Sequence, residues 1–591
     1  MTINERLKAI REEMKSHGIA AYIVPSQDPH QSEYPATRWK SRIWLSGFTG
    51  SAGTVVVTQE EAHVWTDGRY FLQAEEELSN SSFELKKQSV AFAPEHIEWL
   101  AEHLNAGDCV GVDGTLFALS EYEQLQALLG EKGITVNADY DLIDKVWKDR
   151  PALPKEKIFV HDEQFSGASA TEKLNRIRQA YQKRGAQATL LTTLDGIAWT
   201  LNIRGRDVAF NPVAVCWLMV EEEQAVLFME EEKADEATVN YLAQHGVVLK
   251  SYDALEGYLT QLSISKIMID PDKLGVSFVN QLPATCEVIK AMSPEILMKA
   301  VKNEAELSNM HKTMAKDGAA LTRFHKWLET QLPSDSLTEF DLVQKLAAYR
   351  SQEEHYFGES FDAIVGFKGN GAIIHYSPTK AGSKTINGDG MLLIDCGGQY
   401  LEGTTDITRM YYLGEPTEEE KRNYTLVLKG HIALDTIRFP KGTNGMHLDI
   451  LARQFLWKEH MNYGHGTGHG IGAFMNVHEG PVYVRPHTAP IPLEPGMIIS
   501  NEPGFYKAGE HGIRIENLIV VAEKETTAYG TFYGFEMLTV FPIETKLIDK
   551  RLLTAEEIAW LNNYHELVYE RISPLLEEEE KAWLKEKCQA I

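Results

Sequence analysis

The sequence predicts an α/β (α+β) protein with two tandem, related N-terminal α/β domains. A larger strand-rich domain with a helical tail follows them. Three observations lead there. At 591 residues the chain is too long for a single core. Residues 5–24 and 172–191 repeat one pattern, with Leu7, Ile10, Arg11 and Gly18 recurring at a constant offset as Leu174, Ile177, Arg178 and Gly185. From 356 to 545 the character is short apolar runs separated by Gly and Pro, which is strand punctuation.

In each copy of the repeat an amphipathic helix stops at a glycine and an apolar strand follows, the usual logic of a helix C-terminus. Both copies continue into a tryptophan-bearing apolar stretch, "IWLSGFTGSAGTVVV" and "IAWTLNIRG", which reads as strand. Pro-rich punctuation in "DRPALPKEK" marks a first boundary, and Ser293–Pro294 in "AMSPEILMKAVKNEAEL" starts a helix that opens a third region. The expected domains are therefore 1–153, 154–298 and 299–591, with the helical extension beginning at about 545. In that tail Ile558, Leu561, Val568, Leu575, Leu576 and Trp583 need an apolar surface, either on their own chain or on a second copy. Pro574 interrupts the helix, and the Glu577–Glu580 run reads as a solvated face.

Composition narrows the function. Apolar content of 43% and charged content of 24% are ordinary for a globular protein. The formal charge of −27 argues against polyanions, because holding phosphate needs clustered Lys and Arg. Neither nucleic acid nor a membrane surface is an expected partner. The first residues read as an amphipathic helix rather than a leader peptide, and no apolar run reaches the length of a membrane span. Cys109, Cys216, Cys286, Cys396 and Cys588 are scattered and odd in number, as expected of a cytoplasmic protein without structural disulfides.

The residues with chemical potential lie in the third region. An apolar run leads into Asp395, and a return strand carries Asp406 within "TTDITR", so the pair reads as a hairpin. Glu502 ends a second apolar run before Pro503–Gly504, and Glu516 stands between Ile515 and Asn517. Any one of these acids is more simply a turn or edge residue. Four in apolar strand contexts need cations, because like charges brought together repel. "YGHGTGHGIG" supplies His469. Two divalent cations neutralise four carboxylates, and one neutral imidazole completes the set. Oxygen-rich ligation favours Mn²⁺ or Mg²⁺ and tolerates Zn²⁺ or Co²⁺. Two such ions roughly 3.5–4 Å apart can hold a hydroxide and polarise a carbonyl, which is machinery for hydrolysis. Phosphate-loop, HExxH and GxSxG patterns are absent, and Cys396 reads as a small buried hydrophobe.

Asp395, Asp406, His469, Glu502 and Glu516, set in "GHGTGHG", "NVHEGP", "NEPG" and "GIRIEN", resemble the pita-bread metallopeptidases. "LSGFTGSAGTVVV", "WTDGRYFLQAEEEL", "GNGAIIHYSP" and "TTDITR" are similar to the Xaa-Pro aminopeptidase branch in its long three-domain form, from about residue 5 to the end. The resemblance implies a C-terminal pita-bread catalytic domain behind two creatinase-like domains. It implies two divalent ions per chain, Mn²⁺ foremost, with Zn²⁺ or Co²⁺ as alternatives. It further implies a peptide substrate with proline second, a cytoplasmic setting and a homodimer. By resemblance Asp395 is bidentate on one ion, Asp406 and Glu516 bridge, and His469 and Glu502 hold the other. Glu502 is then also the proton shuttle, His375, His465 and His478 line the substrate site, and Arg514 steadies the acidic ligands. The competing readings are a prolidase or creatinase-like hydrolase, and a non-catalytic peptide-binding protein on the same fold.

Overall fold

The computed structural model describes residues 1–89, 93–332 and 336–591. It divides into two compact units, Met1–His161 with Ala168–Ile296, and Asp162–Gly167 with Leu297–Ile591.

The first unit contains the repeat. Helix Ile3–Ser16 buries Leu7, Ile10 and Met14, and helix Ala170–Lys183 buries Leu174, Ile177 and Tyr181. Each chain then turns through a glycine with positive φ, Gly18 or Gly185, into a fully buried strand, Ala21–Val24 or Ala188–Leu191. The first six-stranded sheet runs Glu84–Lys87, Ala62–Thr66, Thr54–Thr58, Ala21–Val24, Cys109–Val112 and Thr135–Asn137. The second runs Val247–Lys250, Ala225–Phe228, Trp217–Glu221, Ala188–Leu191, Lys266–Ile269 and Glu287–Lys290. Strand senses agree at every step: parallel, antiparallel, antiparallel, parallel, parallel. A repeat first visible in about twenty residues is thus a repeat of a whole sheet.

One sequence expectation is corrected. Trp44 lies on helix Ser41–Ser46 and Trp199 on helix Leu194–Leu201, not on strands. Leu194, Ile197, Ala198 and Leu201 recur every three or four residues, so this buried stretch has helical spacing, and a short apolar run does not reveal its type by hydrophobicity alone. Gly47, left-handed at φ 80°, ends the first of these helices.

In the second unit a 28-residue helix, Glu304–Gln331, starts at an Asn303–Glu306 capping box. Two sheets carry the chemistry. The larger is antiparallel, in the order Phe439–Pro440, Gly530–Met537, Asn517–Thr527, Ile498–Asn501, Gly468–Gly470 and Glu479–Val484. The smaller pairs Gly390–Cys396 with Ile364–Phe367 and Ile407–Leu413. Helices Glu339–Arg350, Glu418–Thr436 and Gly445–Trp457 accompany them, giving the pita-bread arrangement.

The tail docks on its own chain. Helices Ala555–Ile572 and Glu578–Lys587, separated at Pro574, bury Leu561, Val568, Ile572, Leu576 and Leu584 in the same core as Met310, Val427 and Val540. Full burial of such side chains is worth roughly 1.5–3 kcal/mol each. The Glu577–Glu580 run forms the cap and first turn of the last helix, where negative charge is favoured.

Within this unit His325 is fully buried, stacked on Tyr411 at 4.3 Å, and its Nδ1 has no hydrogen-bond partner. Burial, with the charges of Arg409, Lys587 and Arg350, holds its pKa well below the usual histidine range. The folded state therefore excludes a proton that the unfolded chain binds below about pH 6.5, so stability is lost as pH falls. A His325→Phe variant should be more acid-resistant than the parent by up to about 2 kcal/mol at pH 5, with little gain at pH 7.5. Denaturant melts at the two pH values measure it, and equal gains at both would refute the assignment.

Candidate metal centre

Each predicted acid sits where a strand begins or ends, which lets its carboxylate leave the sheet and turn inward. Asp395 is the penultimate residue of the Gly390–Cys396 strand, and Asp406 immediately precedes the Ile407–Leu413 strand. The expected hairpin forms, with Asp395 opposite Thr408, although Gly398–Tyr400 and Gly403–Thr404 build a small extra sheet inside its turn. Glu502 follows Ile498–Asn501, and Glu516 lies between His511–Arg514 and Asn517–Thr527. His469 is central in the three-residue strand Gly468–Gly470.

The glycines around His469 have a packing cause. A Cβ at Gly468 would collide with the Ser500 carbonyl oxygen, and one at Gly470 with that of Glu479. The strand is pressed between neighbours on both sides, and only the histidine side chain is left to project.

The five residues converge. Ligand atoms of Asp406, His469 and Glu516 all lie within 4.8 Å of one another. His469 Nε2 is 3.6 Å from Asp406 Oδ2 and 3.3 Å from Glu502 Oε1. Its Nδ1 donates to the Gly470 carbonyl at 3.0 Å, a bond that fixes the tautomer and leaves a lone pair on Nε2. Arg514 donates to Asp395 Oδ2 through both Nε, at 3.2 Å, and Nη2. It also donates to Thr408 Oγ1 at 3.1 Å, and Thr408 in turn donates to Glu516 Oε2 at 2.8 Å.

The electrostatics of this cluster call for cations. Burial, together with Glu516, Asp395 and Glu502, pushes Asp406 well above the usual carboxylate range. Burial, Asp395 and Glu502 do the same to Glu516. Glu502 is pushed to about 7 by burial, with Arg514 opposing and Asp395 reinforcing. Burial disfavours the Arg514 charge, but Tyr506, Asp395 and Glu502 outweigh it and raise that group further. Asp395 Oδ1 is buried without a hydrogen-bond partner. An unsatisfied carboxylate oxygen facing other acids, and an imidazole with its lone pair turned among them, suit hard divalent ions.

The histidines occupy different surroundings. His465 Nδ1 stands 3.9 Å from Glu502 Oε2, and its Nε2 is hydrogen-bonded to the Tyr506 hydroxyl at 2.8 Å. Tyr506 also accepts from Arg514 Nη1 at 2.6 Å, so His465 and Asp395 are linked through two side chains. His478 packs edge-on against His469, with ring centroids 4.3 Å apart. His375 is half-buried in the turn after the Asn370–Ala372 helix, on an element separate from the others.

Sequence reasoning missed the residues that hold this set in place. Thr408 is one, and Ser500 is another, accepting from His469 N at 3.0 Å and donating to Glu502 at 3.3 Å. Tyr506 and Glu339 complete the group. Fully buried Glu339 accepts from Phe367 N, Asn370 Nδ2, Tyr376 OH and Lys384 N, and so clamps the turn on both sides of His375. The hairpin register that sets Thr408 opposite Asp395 was a usable signal for the first; the others depend on contacts remote in sequence.

The chain resembles known proteins along its whole length. Residues 308–523 match metallopeptidase family M24, and 531–591 match its C-terminal region. Residues 6–146 and 149–306 each match a creatinase/prolidase N-terminal domain. Aminopeptidase P2 of Arabidopsis thaliana is 41% identical, over 98% of this chain and 87% of its own. Xaa-Pro aminopeptidase 1 of Dictyostelium discoideum is 40% identical, over 100% and 97%. The crystal structure of X-prolyl aminopeptidase from Caenorhabditis elegans, described as a cytosolic enzyme with a di-nuclear active site, superposes with a TM-score of 0.95 over the whole of both chains at 33% identity. Among the described residues no helix is long and apolar enough to cross a membrane. With buried acids gathered about one histidine, and relatives matched from end to end, the chain belongs to the Xaa-Pro aminopeptidases of metallopeptidase family M24.

Proposed function

We propose that this metal-dependent aminopeptidase releases the N-terminal residue from peptides with proline in second position, using the carboxylate cluster to hold two divalent ions. Asp395, Asp406, His469, Glu502 and Glu516 would together hold the two ions. The observation that carries this reading is the unpartnered Asp395 Oδ1 among acids whose proton affinity is raised by burial and mutual repulsion. Mn²⁺ is the preferred ion, because most of the donors are hard oxygens. When bound, the ions supply Lewis-acid activation of water and of the scissile carbonyl.

The chain's own residues do the rest. Glu502 takes the proton from the attacking water and delivers it to the leaving nitrogen, from a position 3.3 Å from His469 Nε2 and 3.9 Å from His465 Nδ1. His465, whose Nδ1 donates to the Gly466 carbonyl and whose Nε2 bonds Tyr506, shapes the substrate site beside Glu502, while His478 donates to the carbonyl oxygen as negative charge develops on it, and His375 binds the substrate from its clamped turn. The proline imide carries no N–H and has a fixed φ, so a site that accepts its ring selects peptides other aminopeptidases handle poorly. A homodimer in the cytoplasm completes the proposal, on the family resemblance. Most of the tail's apolar positions are covered by its own chain, but Leu575 is exposed, so the catalytic domain and the tail both offer surface for the dimer contact.

Peptide length tests the activity. Xaa-Pro-Xaa tripeptides should be cleaved with at least tenfold higher kcat/KM than Xaa-Pro dipeptides, and Xaa-Ala-Xaa controls should be poor substrates. Preference for the dipeptide would make the protein a prolidase instead.

A further inference from the structure

We propose that Tyr564, on the first tail helix Ala555–Ile572, is a positioning residue of the metal centre, acting through the buried guanidinium of Arg409. The inference rests on Glu516 being a metal ligand, as read above.

Arg409 is 4% exposed and lies three residues beyond Asp406. Its nitrogens reach six acceptors. Nε donates to the Pro542 carbonyl at 2.9 Å, and Nη1 to those of Thr408 at 3.0 Å and Glu516 at 2.6 Å. The two hydrogens of Nη2 are shared among Asn517 Oδ1 at 2.8 Å, the Phe541 carbonyl at 2.7 Å and the Tyr564 hydroxyl at 2.8 Å. None of the six is a carboxylate. Burying a guanidinium among neutral acceptors is costly, and a methionine or leucine would fill the space more cheaply. What the planar fork supplies is geometry: one rigid group ties the strand after Asp406, the Glu516–Asn517 junction, the segment before the tail and the tail itself.

The tie reaches the ligand twice. Nη1 holds the backbone carbonyls of both Glu516 and Thr408, and the Thr408 hydroxyl holds the Glu516 carboxylate. Both ends of Glu516 are therefore referenced to one guanidinium. A second arm runs to Glu502: Asn517 faces His431 Nε2 at 3.4 Å, and His431 Nδ1 bonds the carbonyl of Asn501, the residue before Glu502.

Tyr564 sets the plane of that guanidinium. Its hydroxyl accepts from Arg409 and turns its single hydrogen toward the Phe541 carbonyl at 2.9 Å, with the Thr539 carbonyl at 3.2 Å and Asn517 Oδ1 at 3.3 Å. Its ring is stacked on Trp560, 5.5 Å away and within 6° of parallel, and Trp560 Nε1 is anchored on Asp435 at 2.6 Å. The tail thus does more than cover apolar core. It supplies one of the bonds that orient a cation behind two ligand-bearing strands.

The test is calorimetric titration of Mn²⁺ into the full-length chain after chelation, with near-UV circular dichroism reporting the fold. Tyr564→Phe should weaken Mn²⁺ binding about tenfold, within the range known for partners of metal ligands. Arg409→Lys, which keeps the charge but not the fork, should weaken it further. Trp583→Phe removes a different tail bond, to Glu329 at 2.7 Å, and should lower the melting temperature without changing the affinity. A folded Tyr564→Phe protein with parental affinity would overturn the proposal. So would a Trp583→Phe protein that loses affinity equally, since the effect would then be tail docking in general. A Glu516→Gln variant with undiminished affinity would instead overturn the ligand assignment beneath it.

Discussion

A Glu502→Gln variant should fold normally and lose about 10²–10⁴-fold in kcat on an Xaa-Pro tripeptide. Glutamine keeps the volume and an oxygen for a metal or for Ser500, but it cannot take up and return a proton. Glu502 is the group where the needed properties meet. It is 3.3 Å from His469 Nε2 and 3.9 Å from His465 Nδ1. Metal content has to be measured on the same sample, because the residue is also read as a ligand. Turnover within tenfold of the parent, at full metal loading, would remove Glu502 from the proton path.

An Arg514→Met variant should show the second large effect, and show it mainly without metal. Arg514 is the cation the chain itself contributes to the cluster, and it is buried against Asp395 with Tyr506 and Thr408 as further partners. Removing one partner of such a pair leaves a buried charge uncompensated, at a cost of about 3–5 kcal/mol. In chelator the variant should melt well below the parent, and Mn²⁺ should restore a larger share of stability than it adds to the parent. Equal losses with and without Mn²⁺ would show that Arg514 supports the fold and does not compensate the ligands.

Much of this site was legible in the chain because each proposed ligand carries a local mark. Asp395 and Glu502 end apolar runs, Asp406 and Glu516 interrupt strand patterns, and His469 stands in a glycine setting that no phosphate loop shares. The repeated domains were legible because Leu7, Ile10 and Gly18 recur in register with Leu174, Ile177 and Gly185, the apolar pair of each set facing a core and the glycine turning the chain. The tryptophan stretches failed, since Trp44 and Trp199 sit in short buried helices whose composition looks like strand.

The supports were illegible for a different reason. Thr408 meets Glu516, Arg409 meets Tyr564, and Glu339 meets the turn before His375 only after strands and helices far apart in sequence are packed together. Nothing near Tyr564 marks it as anything but one more apolar position of an amphipathic helix. The ligands are local facts of the sequence, and their orientation is a tertiary one.

Hydrolysis is proposed to depend on two divalent ions held by the Asp395, Asp406, His469, Glu502 and Glu516 set. That dependence is tested most directly by measuring bound metal per chain against the rate of Xaa-Pro tripeptide cleavage, as a chelated sample is reloaded with Mn²⁺. Activity should be negligible in the stripped protein, and the rate should reach its plateau at about two ions per chain. Full activity in protein stripped of metal would contradict it.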